Sequence, residues 1–216
     1  MKPHNIVIMI FCLFAGAAMI VTLHIRSKMS DNTLESQWQT TTADLHSAGT
    51  AAHARSIQYD TYARQAAIEQ LPSHEQLFLA LAHSERIHEQ MCAKAAHLFG
   101  SKTTPGTETS TPTTSTPENL ARSLASARTH HRLSKGNATT RALNNGNRYV
   151  ARIFIWIDGS NRRHIELLEK AYNRTTGTPT NGGYLVCPKC GNTYHTSSYD
   201  AYCPFCHTHH SDFKRF

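Results

Sequence analysis

The sequence predicts an all-α four-helix bundle with one long crossover, preceded by a transmembrane helix and followed by a small metal domain built on four cysteines. Three observations predict it. Residues 6–23 form an uncharged run, four stretches between residues 31 and 175 repeat apolar residues at helical spacing, and two Cys-x-x-Cys pairs stand near the end of the 216-residue chain.

The uncharged run IVIMIFCLFAGAAMIVTL is 18 residues long, follows Lys2 and precedes Arg26 and Lys28. Helical rise makes that long enough to span hydrocarbon, and it exceeds the apolar core of an ordinary signal peptide. Residues 1–28 are therefore expected to be a membrane anchor or signal-anchor, and the protein a single-pass membrane protein. Basic residues on both flanks leave the orientation open.

Residues 31–175 are expected to hold the bundle. Asp31 or Asn32 can cap a first helix with Leu34, Trp38, Leu45, Ile57 and Tyr62 among its apolar anchors. The threonine run at 40–42 and Gly49 weaken its middle, which leaves room for a break there. Pro72 and Ser73, with Gln76 three residues on, read as a capping-box start for a second helix, which Gly100 ends. Residues 100–117 are almost purely Thr, Ser and Pro and form an exposed crossover. Pro117 and Glu118 suit the first turn of a third helix. A fourth follows, with Val150, Ile153, Phe154, Ile157, Ile165, Leu168 and Tyr172 on its apolar face.

Residues 182–216 are too few for a hydrophobic core and need a metal to fold. Cys187 and Cys190, then Cys203 and Cys206 after twelve residues, can place four thiolates on one ion, with zinc and iron both chemically suited. Gly191 permits the turn that aims backbone N–H groups at the sulfurs. The remaining cysteines, Cys12 in the apolar run and Cys92 in a helix, make a disulfide framework the weaker explanation. His207, His209 and His210 are expected on the surface, since four cysteines already close the site.

Lys and Arg total 22 against 15 Asp and Glu, a formal charge of +7. The basic residues are scattered over the helices with no interleaved aromatic platform, so nucleic-acid binding is not expected. Within the bundle Glu85 and His88 share one helix face at i, i+3. The spacing recurs as Ala127 with His130 and Asn161 with His164, which predicts three histidines at matching depth.

The context HSERIHEQM around Glu85 and His88, the phrase PENLARSLAS, the ending RRHIELLEKAY and the tail CPKCGNTY with CPFC resemble the rubrerythrin family over roughly residues 40–216. The resemblance implies a ferritin-like bundle with a rubredoxin-like tail, iron in the four-cysteine site, a head-to-tail homodimer, and electron flow from the tail iron to a bundle centre that reduces peroxide. Ligand by ligand it carries over incompletely. Glu85 and His88 match the second helix and His164 the fourth. Ala51 (or Ala52), Ala127, His130 and Asn161 stand where the family has carboxylates. One carboxylate cannot neutralise two buried cations, so a full di-iron centre is not expected. Two outcomes follow for the bundle: a remodelled single-metal site of Glu85, His88, His130 and His164 holding Fe, Mn or Zn, or a metal-free core in which these histidines are hydrogen-bonded, which is preferred. The expected function is electron transfer through the four-cysteine iron centre with weak peroxide reduction in the bundle. The rival is a non-catalytic, membrane-anchored assembly protein with a structural zinc ribbon.

Overall fold

The computed structural model describes residues 3–101, 112–134, 137–174 and 182–216; side chains are described from 35 onward in these stretches, except 134, and at 19, 20, 22–24 and 26–28. Five helices run in order: α1 (Pro3–Ile68), α2 (Pro72–Leu98), α3 (Thr116–Ser134), α4 (Asn137–Asn144) and α5 (Arg148–Asn173). Three short strands follow, β1 (Tyr184–Val186), β2 (Thr193–His195) and β3 (Lys214–Arg215), with a 3-10 turn at His210–Asp212. The chain divides into two units, Met1–Thr40 and Thr41–Phe216.

In the first unit the run at 6–23 is helical, but the side chains of 6–18 and of 21 lie outside the described residues. Among the described residues no helix is long and apolar enough to cross a membrane, so the expected transmembrane helix finds no support there. Trp38, expected as an apolar anchor, is exposed.

In the second unit α1 runs unbroken past Gly49. Cys92 Cβ would lie 3.3 Å from a side-chain carbon at Gly49, so the glycine serves close approach of α1 to α2, and tertiary contact outweighs its poor helix propensity. The start of α2 also differs from the expected capping box. Leu71 is the N-cap and no side chain caps it; Pro72 occupies the first turn and supplies the helical φ itself. The end is as expected: Gly100 adopts φ +72, its N–H reaches His97 O at 3.0 Å, and that of Ser101 reaches Ala96 O at 3.2 Å, the Schellman pattern. Most of the 100–117 crossover lies outside the described residues. α5 starts where Asn147 Oδ1 accepts from Val150 N at 3.1 Å. The short α4 was not expected; it holds three apolar residues, Ala138, Ala142 and Leu143, of which Ala142 is buried.

The bundle core has two apolar parts. One gathers Tyr59, Tyr62, Phe78, Leu81, Leu120 and Leu168, the other Leu45, Cys92, Val150, Ile153, Phe154 and Ile157. In sequence, the buried polar residues Ser56, Ser84, Glu85, His88, Ser160, Asn161 and His164 fall between these two sets on α1, α2 and α5. They form a polar layer across the middle of the bundle.

The tail is an antiparallel sheet of order β2-β1-β3, registered by Leu185 opposite Tyr194 and Arg215. It packs on α2 and α5. Trp156 Nε1 donates to Phe205 O at 3.0 Å. A side chain at Gly159 would place its first carbon 2.5 Å from the Phe205 ring, so only glycine lets the ring lie against α5.

Candidate metal centre and its seat on the bundle

The four tail cysteines come together from two turns. Cys187 Sγ and Cys206 Sγ are 3.4 Å apart, as are Cys190 Sγ and Cys203 Sγ, and all four sulfurs lie within 4.8 Å of one another. A tetrahedral ion with metal–sulfur bonds near 2.3 Å requires sulfur separations of about 3.8 Å, so the donor set fits one iron or zinc ion. The protein surrounds it with donors. N–H groups of Lys189 and Cys190 point at Cys187 Sγ, that of Asn192 at Cys190 Sγ, and that of Cys206 at Cys203 Sγ. Tyr194 donates its hydroxyl to Cys203 Sγ at 3.3 Å and accepts from Asn192 Nδ2 at 2.7 Å. Hydrogen bonding with Cys187 and Cys203 pushes the Cys190 thiol up, while Cys187 and Cys190 pull the Cys203 thiol down. Four crowded sulfurs thus resist full ionisation unless a cation joins them.

The first turn uses Gly191 at φ +77 and the second uses His207 at φ +59. The second left-handed residue therefore carries a side chain, which stands exposed. His209 and His210 pack on Tyr202 and Tyr199 at ring separations of 5.1 and 5.4 Å, away from the sulfurs.

In the bundle, Glu85 is 1% exposed and is held by a residue the sequence reading passed over. Arg55 Nε donates to Oε1 and Nη2 to Oε2, both at 2.9 Å, a two-pronged ion pair from α1 to α2. His88 Nδ1 stands 3.3 Å from Oε2 and His164 Nδ1 stands 3.5 Å from Oε1. Burial would raise the Glu85 carboxyl, but Arg55, His164 and His88 overcome it and hold the group well below its ordinary range. Burial lowers His164, which stays neutral despite Glu85.

The three histidines do not reach matching depth. His88 and His164 are buried with ring centres 6.1 Å apart. His130 is half-buried on the wall of a cavity of about 260 Å³ that also touches Ala51, Arg55 and Asn161. Burial and then the Arg55 charge lower its basicity. Among the described residues the four cysteines are the one cluster of His, Cys, Asp or Glu close enough to share an ion; Glu85, His88, His130 and His164 do not make a second. Both oxygens of the Glu85 carboxylate are instead bonded to the Arg55 guanidinium. Ala127 is half-buried and packs against the apolar core. His53 pairs with Glu89 at 3.0 Å and His131 with Asp158 at 3.1 Å.

Tail and polar layer meet at Gly191. Its carbonyl accepts from Ser84 Oγ at 2.5 Å and Ser160 Oγ at 3.1 Å. A side-chain carbon at Gly191 would lie 2.6 Å from His88 Nε2, a buried nitrogen with no hydrogen-bond partner among the described residues. The four-cysteine centre is thus one peptide unit away from the residues around Glu85.

The rubrerythrin family model matches residues 53–172, more than half of the chain. Solved structures of nigerythrin share the fold. The fully reduced, all-ferrous form aligns with a TM-score of 0.73, the partially reduced form with 0.76 and the mixed-valence form with 0.71, each at 20% identity. These alignments cover 82–83% of this chain and 86% of nigerythrin. No curated protein sequence matches. With its helical bundle, buried Glu-x-x-His pair and four-cysteine tail, the chain belongs to the rubrerythrin family.

Proposed function

We propose that this protein carries electrons through one iron held by Cys187, Cys190, Cys203 and Cys206, and that its bundle works without a metal of its own. The observation that carries the reading is the ion pair of Arg55 with Glu85. A cation already neutralises the one carboxylate left at the family's ligand positions, so peroxide reduction there is expected to be weak. The valence states in which nigerythrin was captured support iron in this fold. A single iron in a four-thiolate cage supplies one-electron exchange between ferric and ferrous forms.

The chain's own residues provide the rest. The amide donors of Lys189, Cys190, Asn192 and Cys206 spread the negative charge of the sulfurs. Trp156, Gly159 and Phe205 fix the tail on α5. Cys206, 8% exposed, is the most exposed of the four cage cysteines and is the expected point of electron entry, while Gly191 faces the buried histidines. In this reading the run at 6–23 anchors the protein in a membrane, and the family resemblance supports a homodimer.

The test is metal analysis and a visible spectrum of the full chain purified in detergent. One iron per chain, with ferric-thiolate colour bleached by a reductant and slow peroxide turnover, is the expected result. A colourless protein with one zinc would establish the structural zinc ribbon instead. Two further irons per chain with rapid peroxide reduction would overturn the role given to Arg55.

A further inference from the structure

Three buried hydroxyls stand within hydrogen-bond reach of the carbonyl of Gly191. Besides Ser84 at 2.5 Å and Ser160 at 3.1 Å, Thr193 Oγ1 lies 3.2 Å away. The same hydroxyls surround His164 Nε2, at 3.0 Å for Ser84 and 3.4 Å for Ser160 and Thr193. The protons count out evenly. Three hydroxyls offer one proton each; the carbonyl offers two lone pairs and the neutral imidazole, whose Nδ1 faces Glu85, offers one. Two hydroxyl bonds therefore fall on Gly191 O and one on His164. Ser84 and Ser160, at the two shortest distances, belong to the carbonyl, and Thr193 to His164. Ser84, Ser160 and Thr193 are all fully buried, so water does not compete for these bonds.

That carbonyl belongs to the same peptide unit as the Asn192 N–H, which points at Cys190 Sγ. Donors on a peptide oxygen polarise the unit and make its N–H a stronger donor, and low surrounding dielectric enlarges the effect. Hydrogen bonds to the sulfurs are one of the means by which a protein sets the potential of an iron–thiolate centre. Reduction adds a negative charge to the cage, so a stronger N–H donor favours the ferrous form more than the ferric one.

We propose that Ser84 and Ser160 on the bundle are positioning residues that raise the reduction potential of the tail iron by polarising the Gly191–Asn192 peptide. The two bundle serines make the potential depend on the tail being seated on α2 and α5. A tail lifted off the bundle loses Ser84 and Ser160, and holds its electron less tightly. The inference rests on the reading of the tail as a redox iron centre.

Its test compares the full chain with Ser84→Ala, Ser160→Ala, the double variant and Ser84→Thr, each loaded with iron for redox titration and with zinc for NMR. The expected result is a fall of roughly threefold in the ferric-to-ferrous equilibrium constant for each single change and of about tenfold for the double, which is a drop of about 59 mV for a one-electron couple. Ser84→Thr restores the potential. In the zinc form the Asn192 amide proton moves upfield, while the amides of Lys189, Cys190 and Cys206, which also face sulfur, keep their shifts. An unchanged potential in the double variant overturns the proposal. So does a common movement of all four amides, which would mean that the serines only hold the tail in place. The zinc measurement needs no native iron. Protein isolated with zinc but showing the isolated Asn192 shift would refute the redox reading and leave the peptide relay standing.

Discussion

Replacing Arg55 by methionine keeps the length of the stem and removes the charge. Glu85, 1% exposed, then keeps only His88 Nδ1 at 3.3 Å and His164 Nδ1 at 3.5 Å. Breaking a buried pair by removing one partner costs about 3–5 kcal/mol; at roughly 2–4 °C per kcal/mol for a chain of this size, the melting temperature should fall by about 6–20 °C at pH 7. Arg141 and Asp44 provide the internal control. Their two-pronged geometry is as good, at 2.8 and 2.6 Å, but the Arg141 side chain is 47% exposed, and such pairs contribute at most about 1 kcal/mol. Arg141→Met should therefore cost far less than Arg55→Met.

The pH dependence supplies a sign. In the native protein the folded pKa of Glu85 lies below its ordinary 4.5, so its contribution is present above pH 4.5 and is lost as pH falls through the lower, folded value. Without Arg55, burial becomes the dominant influence and raises the folded pKa above 4.5. The variant is then least stable at neutral pH, and its deficit shrinks as acidification protonates Glu85. Thermal unfolding by circular dichroism on the zinc-loaded chain, at pH 7 and near pH 5, measures both effects. Adding Glu85→Gln to Arg55→Met should recover most of the loss. A loss below about 1 kcal/mol, or one that Glu85→Gln does not relieve, would refute the buried ion pair as the organising charge of the bundle.

Cys190→Ser should abolish metal binding by the tail and open it to protease, because residues 182–216 depend on the ion for much of their folding energy; metal analysis and limited digestion check it. Gly191→Ala combines a φ of +77 with a contact of 2.6 Å to His88 Nε2, so it should cost at least about 1–3 kcal/mol and unseat the tail, seen as altered Trp156 fluorescence. The run at 6–23 should hold the protein in membranes through a carbonate wash, and release of intact protein would refute the anchor. Full-chain iron content should stay at one per chain even with excess ferrous iron, as measured by metal analysis after desalting.

The four cysteines were legible because each Cys-x-x-Cys turn brings two sulfurs together by local geometry alone, leaving only one long-range pairing to be met by the fold. Glu85 with His88 was legible for the same reason: three residues along a helix is a fixed distance. What failed were the relations between helices. Arg55 stands four residues after Ala51, on the same face of α1, yet nothing in the spacing says that it reaches α2. The signal that could have found it is charge balance, since a buried carboxylate stripped of its metal needs another cation, and an arginine one turn beyond a vacated ligand position is the nearest source. His130 matched the i, i+3 pattern of His88 and His164, but periodicity fixes direction around a helix and not depth. The purpose of Gly159 in α5 depends on Phe205, more than forty residues away in the chain. The continuity of α1 past Gly49 depends likewise on Cys92 of a different helix.

On the proposed reading of a bundle without its own metal, the pairing of Arg55 with Glu85 also accounts for the rest of the polar layer. A bundle that binds two irons needs carboxylates from several helices to neutralise them, and losing one leaves uncompensated positive charge. Once a fixed guanidinium neutralises Glu85, any further buried carboxylate would itself lack a partner, at a cost of several kcal/mol. Ala51, Ala127 and Asn161 are what such a layer tolerates: small or neutral, adding no charge. A dication entering between Glu85, His88 and His164 would have to displace Arg55 from bonds of 2.9 Å or sit beside it with one carboxylate shared by two cations. Repulsion across that short distance at low dielectric disfavours the second arrangement, and loss of the two-pronged bond disfavours the first. The hydroxyls of Ser84 and Ser160 fit the same logic, since they serve the Gly191 carbonyl without bringing charge into a layer whose charge is already balanced.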